Sequence, residues 1–319
     1  AYLVLARGSD RSNRRTTWSA NAIADRTSVS RRRSRAAIDA LAAAGIVRQS
    51  KGGARPAYEL PTVLRTMPKR NGDTDEPAAW VWLPNALVDG LAGFEGASPL
   101  ERVRQTGDVM TLRLLVDLYG AHELRDDGGI DRRIVWRPFT RQVLGEYAEY
   151  RILAFAPEDL VRGGAHPVVD AHRTSPTAAD RKAKRHEWSL FWDRWGALEQ
   201  LGLVQWSTVL WDAETPDAEP IHPLGGPELD EYRIGRAAQR AAVSMMETIG
   251  VHQAPRDAWL VPVLKHFTRA TVIGIARLRY RPHTTATAAW FATLKNRAAE
   301  HEARYLALAH QLSARACAQ

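Results

Sequence analysis

Thr27-Ser28-Val29-Ser30-Arg31-Arg32-Arg33-Ser34-Arg35-Ala36-Ala37-Ile38, followed by Leu41 and Gly45, is the stretch on which the fold reading turns. Ser30 offers a side-chain acceptor immediately before a run of helix formers, the position of an N-cap. Gly45 follows the last apolar residue of that run, where a left-handed residue can end a helix. At about 100° per residue, Ala37, Ile38 and Leu41 share one side of this helix. Arg31, Arg32 and Arg35 then point outward, and Arg33 lies near the boundary. Upstream, Trp18-Ser19 reads as a hydrophobic staple and cap for a helix through Ala22, Ile23 and Ala24. Tyr2, Leu3 and Leu5 open a short apolar helix, and Gly8–Thr17 is a polar loop. Downstream, Ile46–Ser50 reads as a strand, Lys51–Pro56 as a glycine-rich turn and Ala57–Leu60 as the returning strand.

Charge singles out the same segment. The 319 residues carry 44 Lys+Arg and 36 Asp+Glu, a net charge of +8. Ala1–Arg70 holds 15 basic and 4 acidic side chains, a net of +11, and the remainder is −3. A basic head on a slightly acidic body suits a polyanionic partner such as nucleic acid.

The chemistry of that partnership would rest on two clusters. An exposed first helical turn carrying Ser30, Arg31, Arg32, Arg33 and Arg35 can enter a major groove, where arginine donates two hydrogen bonds to guanine. The capped helix N-terminus also favours a phosphate. Charge runs are usually solvated helix faces, but four arginines in five residues directly after a helix-turn signal favour DNA. Arg48, Lys51 and Arg55 form the second cluster, on the expected hairpin, where cations can neutralise phosphates. Arg14 and Arg15, with Arg11, are weaker phosphate-contact candidates in the loop before Trp18.

Thr16–Thr27, Val29–Arg32, Ala37-Ile38, Leu41 and Gly45-Ile46-Val47 together resemble the winged helix-turn-helix domains of bacterial regulators, most of all those of plasmid and phage replication initiators. The resemblance covers about the first 60 residues. It implies that the helix beginning at Ser30 reads bases and that Lys51 and Arg55 form the wing. Arg33 and Ser34 depart from it, standing where the pattern often has Thr and an aliphatic. The resemblance implies a sequence-specific double-stranded-DNA-binding protein, a transcriptional or replication-control factor of a bacterial mobile element. The alternative is a non-catalytic interaction subunit of a larger nucleoprotein complex.

For the rest of the chain the expected class is mainly α with small β-hairpins. It comprises a winged helix-turn-helix over 1–60, a linker over 61–79, a winged-helix-like α+β body over 80–225 and a C-terminal helical region over 226–319. The candidate second winged helix rests on an echo: Ala197–Val204 repeats the helix–glycine–strand order of Ala40–Val47. Asp108–Leu124 reads as an amphipathic helix with Val109, Leu112, Leu115, Val116 and Tyr119 on one side. Thr140–Tyr150 and Ala258–Tyr280 read as helical, and Gly163–Ala179 as loop. The aromatic cluster Trp188, Phe191, Trp192 and Trp195 has the spacing of core packing. A last helix from about Thr287 to Ala314 either closes the body or pairs two copies in a homodimer, with further protein partners on the body.

Several classes find no support. Cys317 is the single cysteine, so an intrachain disulfide and a multi-cysteine metal site are excluded, and a reducing cytoplasm is the expected compartment. No apolar run reaches the length of a membrane span, so no membrane partner is expected. His166, Asp170 and His172 lack a second matching ligand cluster. No phosphate-binding loop or nucleophile elbow occurs, so no cofactor, metal or enzymatic activity is expected. The chain starts with Ala1, and Tyr2–Ala6 read like the middle of a helix, which predicts that residues are missing before it.

Overall fold

In the computed structural model the described residues are 1–50, 56–61, 81–91, 96–122, 128–173, 187–215 and 217–316. Lys51, Arg55 and all but Pro61 of the expected linker lie outside them. The chain forms two compact units, Ala1–Val116 and Asp117–Gln319.

The first unit runs α1 (Tyr2–Arg7), β1 (Arg15–Thr16), α2 (Ala20–Thr27), α3 (Arg31–Ala43), β2 (Arg48–Gln49), β3 (Tyr58–Glu59), α4 (Ala86–Asp89) and α5 (Pro99–Gln105). Local chemistry sets the ends of these helices. The Ser19 side chain accepts from the Asn21 amide, the Ser30 side chain from Arg33 and the Ser98 side chain from Glu101. Gly45, at φ +70°, lets α3 stop, with the Ile46 and Gly45 amides turned back to the Leu41 and Ala42 carbonyls. The three short strands pair antiparallel in the order β1-β3-β2. Val4, Leu5, Ala20, Ile23, Ile38, Val47, Tyr58, Leu60, Val88 and Leu100 close over one core. Helix α6 (Val109–Gly120) crosses from one unit into the next. Its buried residues include Met110, Leu114, Leu115 and Leu118, whereas Val109 is exposed, so the apolar stripe is rotated from the expected one.

The second unit overturns the expectation of a mainly helical protein. Strands make up 23% of the chain, and most of them belong to one sheet. It is built from β4 (Val135–Tyr147), β5 (Tyr150–Pro157), β6 (Arg162–Gly163), β7 (Val204–Trp211), β8 (Pro220–Gly225), β9 (Trp259–Leu264) and β10 (Thr271–Leu278). The order is β8-β7-β10-β4-β5-β9, every pairing antiparallel, with β6 added to β4. Pro220, Pro223 and Pro262 stand in the two end strands, where a missing N–H costs least. Between the strands come α7 (Pro167–Arg173), α8 (Glu187–Gln200) and α9 (Leu229–Thr248), and α10 (Thr285–Ala316) ends the unit. The sheet curls around α9 until its ends approach, the Trp259 ring lying against Gly225, to give a nearly closed barrel-like sheet. Gly235, with Ala237, Ala238, Ala241 and Ala242, lets α9 approach closely; a Cβ at Gly235 would overlap the Leu224 carbonyl.

Four expectations change with this sheet. Thr140–Tyr150 is strand, the outer half of β4 and its turn, not helix. Ala258–Tyr280 holds β9 and β10, so the C-terminal region is not purely helical. Part of Gly163–Ala179 is helical, as α7. The candidate second winged helix is absent as such, because β7 and β8 belong to the large sheet. Its echo has a physical origin: Gly202, at φ +63°, repeats the turn made by Gly45, with the Leu203 amide on the Leu198 carbonyl. Gly250 makes the same turn after α9, so the motif is a shared way of stopping a helix.

Phe191 and Trp195 are core residues, their rings stacked with centroids 6.3 Å apart. The apolar stripe of α10 (Trp290, Leu294, Ala298, Tyr305, Ala309, Leu312) is buried within the unit, largely against α9. The stripe therefore closes the body. No described helix is long and apolar enough to cross a membrane.

Candidate nucleic-acid interface

Helix α3 is anchored from one side and open on the other. Ser34 and Ile38 are buried at 0% and 2% exposure, and Leu41 is half-buried behind them. The Ser34 hydroxyl donates to the Val29 carbonyl at 3.4 Å, so its polar group is satisfied inside the turn. Ser34 therefore occupies the inward position one turn before Ile38, inside the arginine run.

Arg31, Arg32, Arg33 and Arg35 are all exposed. Among the described residues their side chains have no hydrogen-bond or ion-pair partner. The first turn of α3 contains no acidic side chain, and Ser30 accepts the Arg33 amide at 3.4 Å. The other first-turn amides have no carbonyl behind them and face the helix end, where the backbone dipole is positive. Fixed cations, free amides and one hydroxyl thus share a single exposed helix end.

Arg15 and Arg48 form a second group. Arg15 pairs with Glu59 across β1 and β3, and Arg48 pairs with the same Glu59 across β2 and β3. All three side chains are exposed, so Glu59 offsets part of this cluster's charge. Arg14 is exposed beside it, its carbonyl accepting the Leu60 amide. Lys51 and Arg55 lie outside the described residues.

Two further arginines of this unit have structural work, which the charge count did not reveal. Arg26 stacks on Trp18 at 3.8 Å from the ring centroid, and Arg7 lies 5.8 Å from it. Both donate to Asp89, at 3.1 and 2.7 Å. The available signal was Trp18 itself, a large aromatic beside a helix end that attracts a guanidinium face.

The loop histidines do not gather. His172 is fully buried, with Nε2 2.8 Å from Asp117, whereas Asp170 is exposed and meets Arg173. His166 lies beside Asp131 at 4.0 Å. Among the described residues no three His, Cys, Asp or Glu side chains form a metal-sized cluster.

No protein-family model matches this chain, and no curated protein and no solved structure matches it.

Proposed function

We propose that residues 1–60 bind duplex DNA as a winged helix-turn-helix, with α3 in the major groove. The observation that carries this reading is the cluster of four exposed arginines, without partners among the described residues, at the capped end of a helix fixed by its other face. The element order and the β1-β3-β2 sheet fit it as well. Arg31, Arg32 and Arg35 contact base edges, the α3 N-terminus and Arg33 hold phosphate, and Arg48, Arg14, Arg15, Lys51 and Arg55 add backbone contacts. The role that suits such a module is transcriptional or replication control on a bacterial mobile element, in the cytoplasm. Selection of bound sequences from a random duplex pool tests the reading. The full chain enriches a defined motif, and the Arg31→Ala/Arg32→Ala/Arg35→Ala variant enriches none. Enrichment of the same motif by that variant would overturn the proposal.

A further inference from the structure

The turn that presents α3 is held from beyond residue 60, and the hold falls on Arg26, in the last turn of α2. The Arg26 guanidinium lies over Trp18, 3.8 Å from the ring centroid, and its Nε donates to Asp89 at 3.1 Å. The Arg26 carbonyl, one of those that a helix end leaves without an intrahelical partner, accepts the Ser98 hydroxyl at 3.4 Å. Asp89 is the last residue of α4, and Ser98 is the N-cap of α5. Asp89 also receives Arg7, the last residue of α1, at 2.7 Å. Arg26 thus ties the end of α2 directly to α4 and α5, and through Asp89 to α1. Apolar packing runs the same way, since Val88 of α4 and Leu100 of α5 share one core with Ile23 of α2 and Ile38 of α3.

The turn that follows Arg26 needs such support. Ser28 is left-handed, at φ +50°, a region that residues other than glycine enter at a cost and keep only where the surrounding structure holds them. On one side of it the buried Thr27 hydroxyl donates to the Ile23 carbonyl at 2.6 Å. On the other, the Val29 carbonyl accepts the Ser34 hydroxyl, and Ser30 caps α3. Only Thr27–Ser30 separate Arg26 from Arg31, so the pose of the arginine cluster follows the pose of Arg26. Paired hydrogen bonds from arginine to a base edge depend on direction as well as distance. Contacts with phosphate tolerate more, because they answer to charge and carry no sequence information. A tilt of α3 therefore weakens base reading before it weakens attraction to the backbone.

We propose that α4 and α5 belong to the DNA-reading module and set the pose of α3, with Asp89 and Ser98 as positioning residues that act through Arg26. The inference rests on the assignment of α3 as the reading helix. Titration of the full chain against a selected and a scrambled duplex, at one salt concentration, tests it. In Asp89→Ala the preference for the selected duplex is expected to fall about tenfold, the size of an ordinary coupling between sites. Affinity for the scrambled duplex is not expected to fall, because Arg7 and Arg26 are released as additional cations. Asp89→Glu keeps the carboxylate and is expected to recover most of the preference. An unchanged preference in Asp89→Ala, including an equal loss on both duplexes, would overturn the proposal and leave Asp89 a purely structural role. Equal loss of preference in Asp89→Glu and Asp89→Ala would overturn the assignment to the ion pairs. Amide exchange without DNA separates this inference from the DNA reading. Asp89→Ala is expected to speed exchange at the Arg33 and Ser34 amides, which bond to the Ser30 hydroxyl and carbonyl, and to leave the second unit unchanged. Unchanged exchange there would overturn the hold on α3, whereas an intact chain with no duplex preference would overturn the DNA reading itself.

Discussion

Arg31 in the first unit and Arg277 in the second are the same side chain in opposite surroundings. Arg31 is exposed, without a partner among the described residues, beside three more arginines on one helix end. Arg277 is 2% exposed, paired with Glu231 and set against Trp290. The first unit also contains both kinds, since Arg7 and Arg26 are held by Asp89 and Trp18. A positive charge that the fold already uses is not available to a polyanion. What marks the candidate interface is therefore the set of guanidinium groups to which the fold gives nothing to do.

The comparison can be broken most severely at Glu231. Its carboxylate receives Arg277, the Ser207 hydroxyl at 2.9 Å and the Glu228 amide at 3.2 Å, closing the capping box of α9. Glu231→Ala leaves a buried guanidinium uncompensated and should cost about 3–5 kcal/mol. Chemical denaturation measures this, and a loss under about 1 kcal/mol would show that Arg277 is not a committed cation.

A second prediction concerns acid. Burial lowers His222 to about 3 and His122 to about 4, from 6.5. Both are neutral in the folded chain over that interval, while the unfolded chain binds their protons. The stability they contribute is complete above about pH 6.5 and is lost as pH falls toward those folded values. The urea midpoint should drop between pH 7 and pH 5, and His222→Gln should flatten the drop. A midpoint equal at the two pH values contradicts the burial argument.

Smaller effects are expected in the first unit. Asp89→Ala releases Arg7 and Arg26 from two ion pairs whose side chains are about one-third exposed, so it should cost about 1 kcal/mol. Replacing Arg31, Arg32 and Arg35 by Ala should change stability by no more than about 0.5 kcal/mol, because these side chains contact solvent. A larger loss in this triple variant would mean that the arginines serve the fold.

The parts of the fold that were legible share a local cause. Ser30 and Gly45 bracket α3 through side-chain and backbone chemistry within a few residues, and both are visible in sequence. Strand β10 shows the opposite case. Thr271–Leu278 is buried throughout, so it has no alternation to separate it from a buried helix, although Thr271, Val272, Ile273 and Ile275 are β-branched. Strand β4 is half-exposed and mixed in polarity, and although β5 follows it directly as a hairpin, its neighbour on the other side, β10, lies far along the chain. The glycine echo is a shared helix stop, local to each turn, and carries no domain repeat. At the candidate interface, the arginine run could be read directly. Which arginines Trp18 and Asp89 occupy, and the pairing of Arg277 with Glu231, depend on contacts distant in sequence.

Fluorescence-anisotropy titration of the full chain against one selected duplex, repeated over a range of salt, tests the central claim most directly. The intact chain should bind with an affinity that falls steeply as salt rises, as counterion release requires. The Arg31→Ala/Arg32→Ala/Arg35→Ala chain should bind at least a hundredfold more weakly at low salt, with no preference for the selected duplex over a scrambled one. Equal affinity and equal preference in the two chains would contradict the assignment of α3 as the surface that reads DNA.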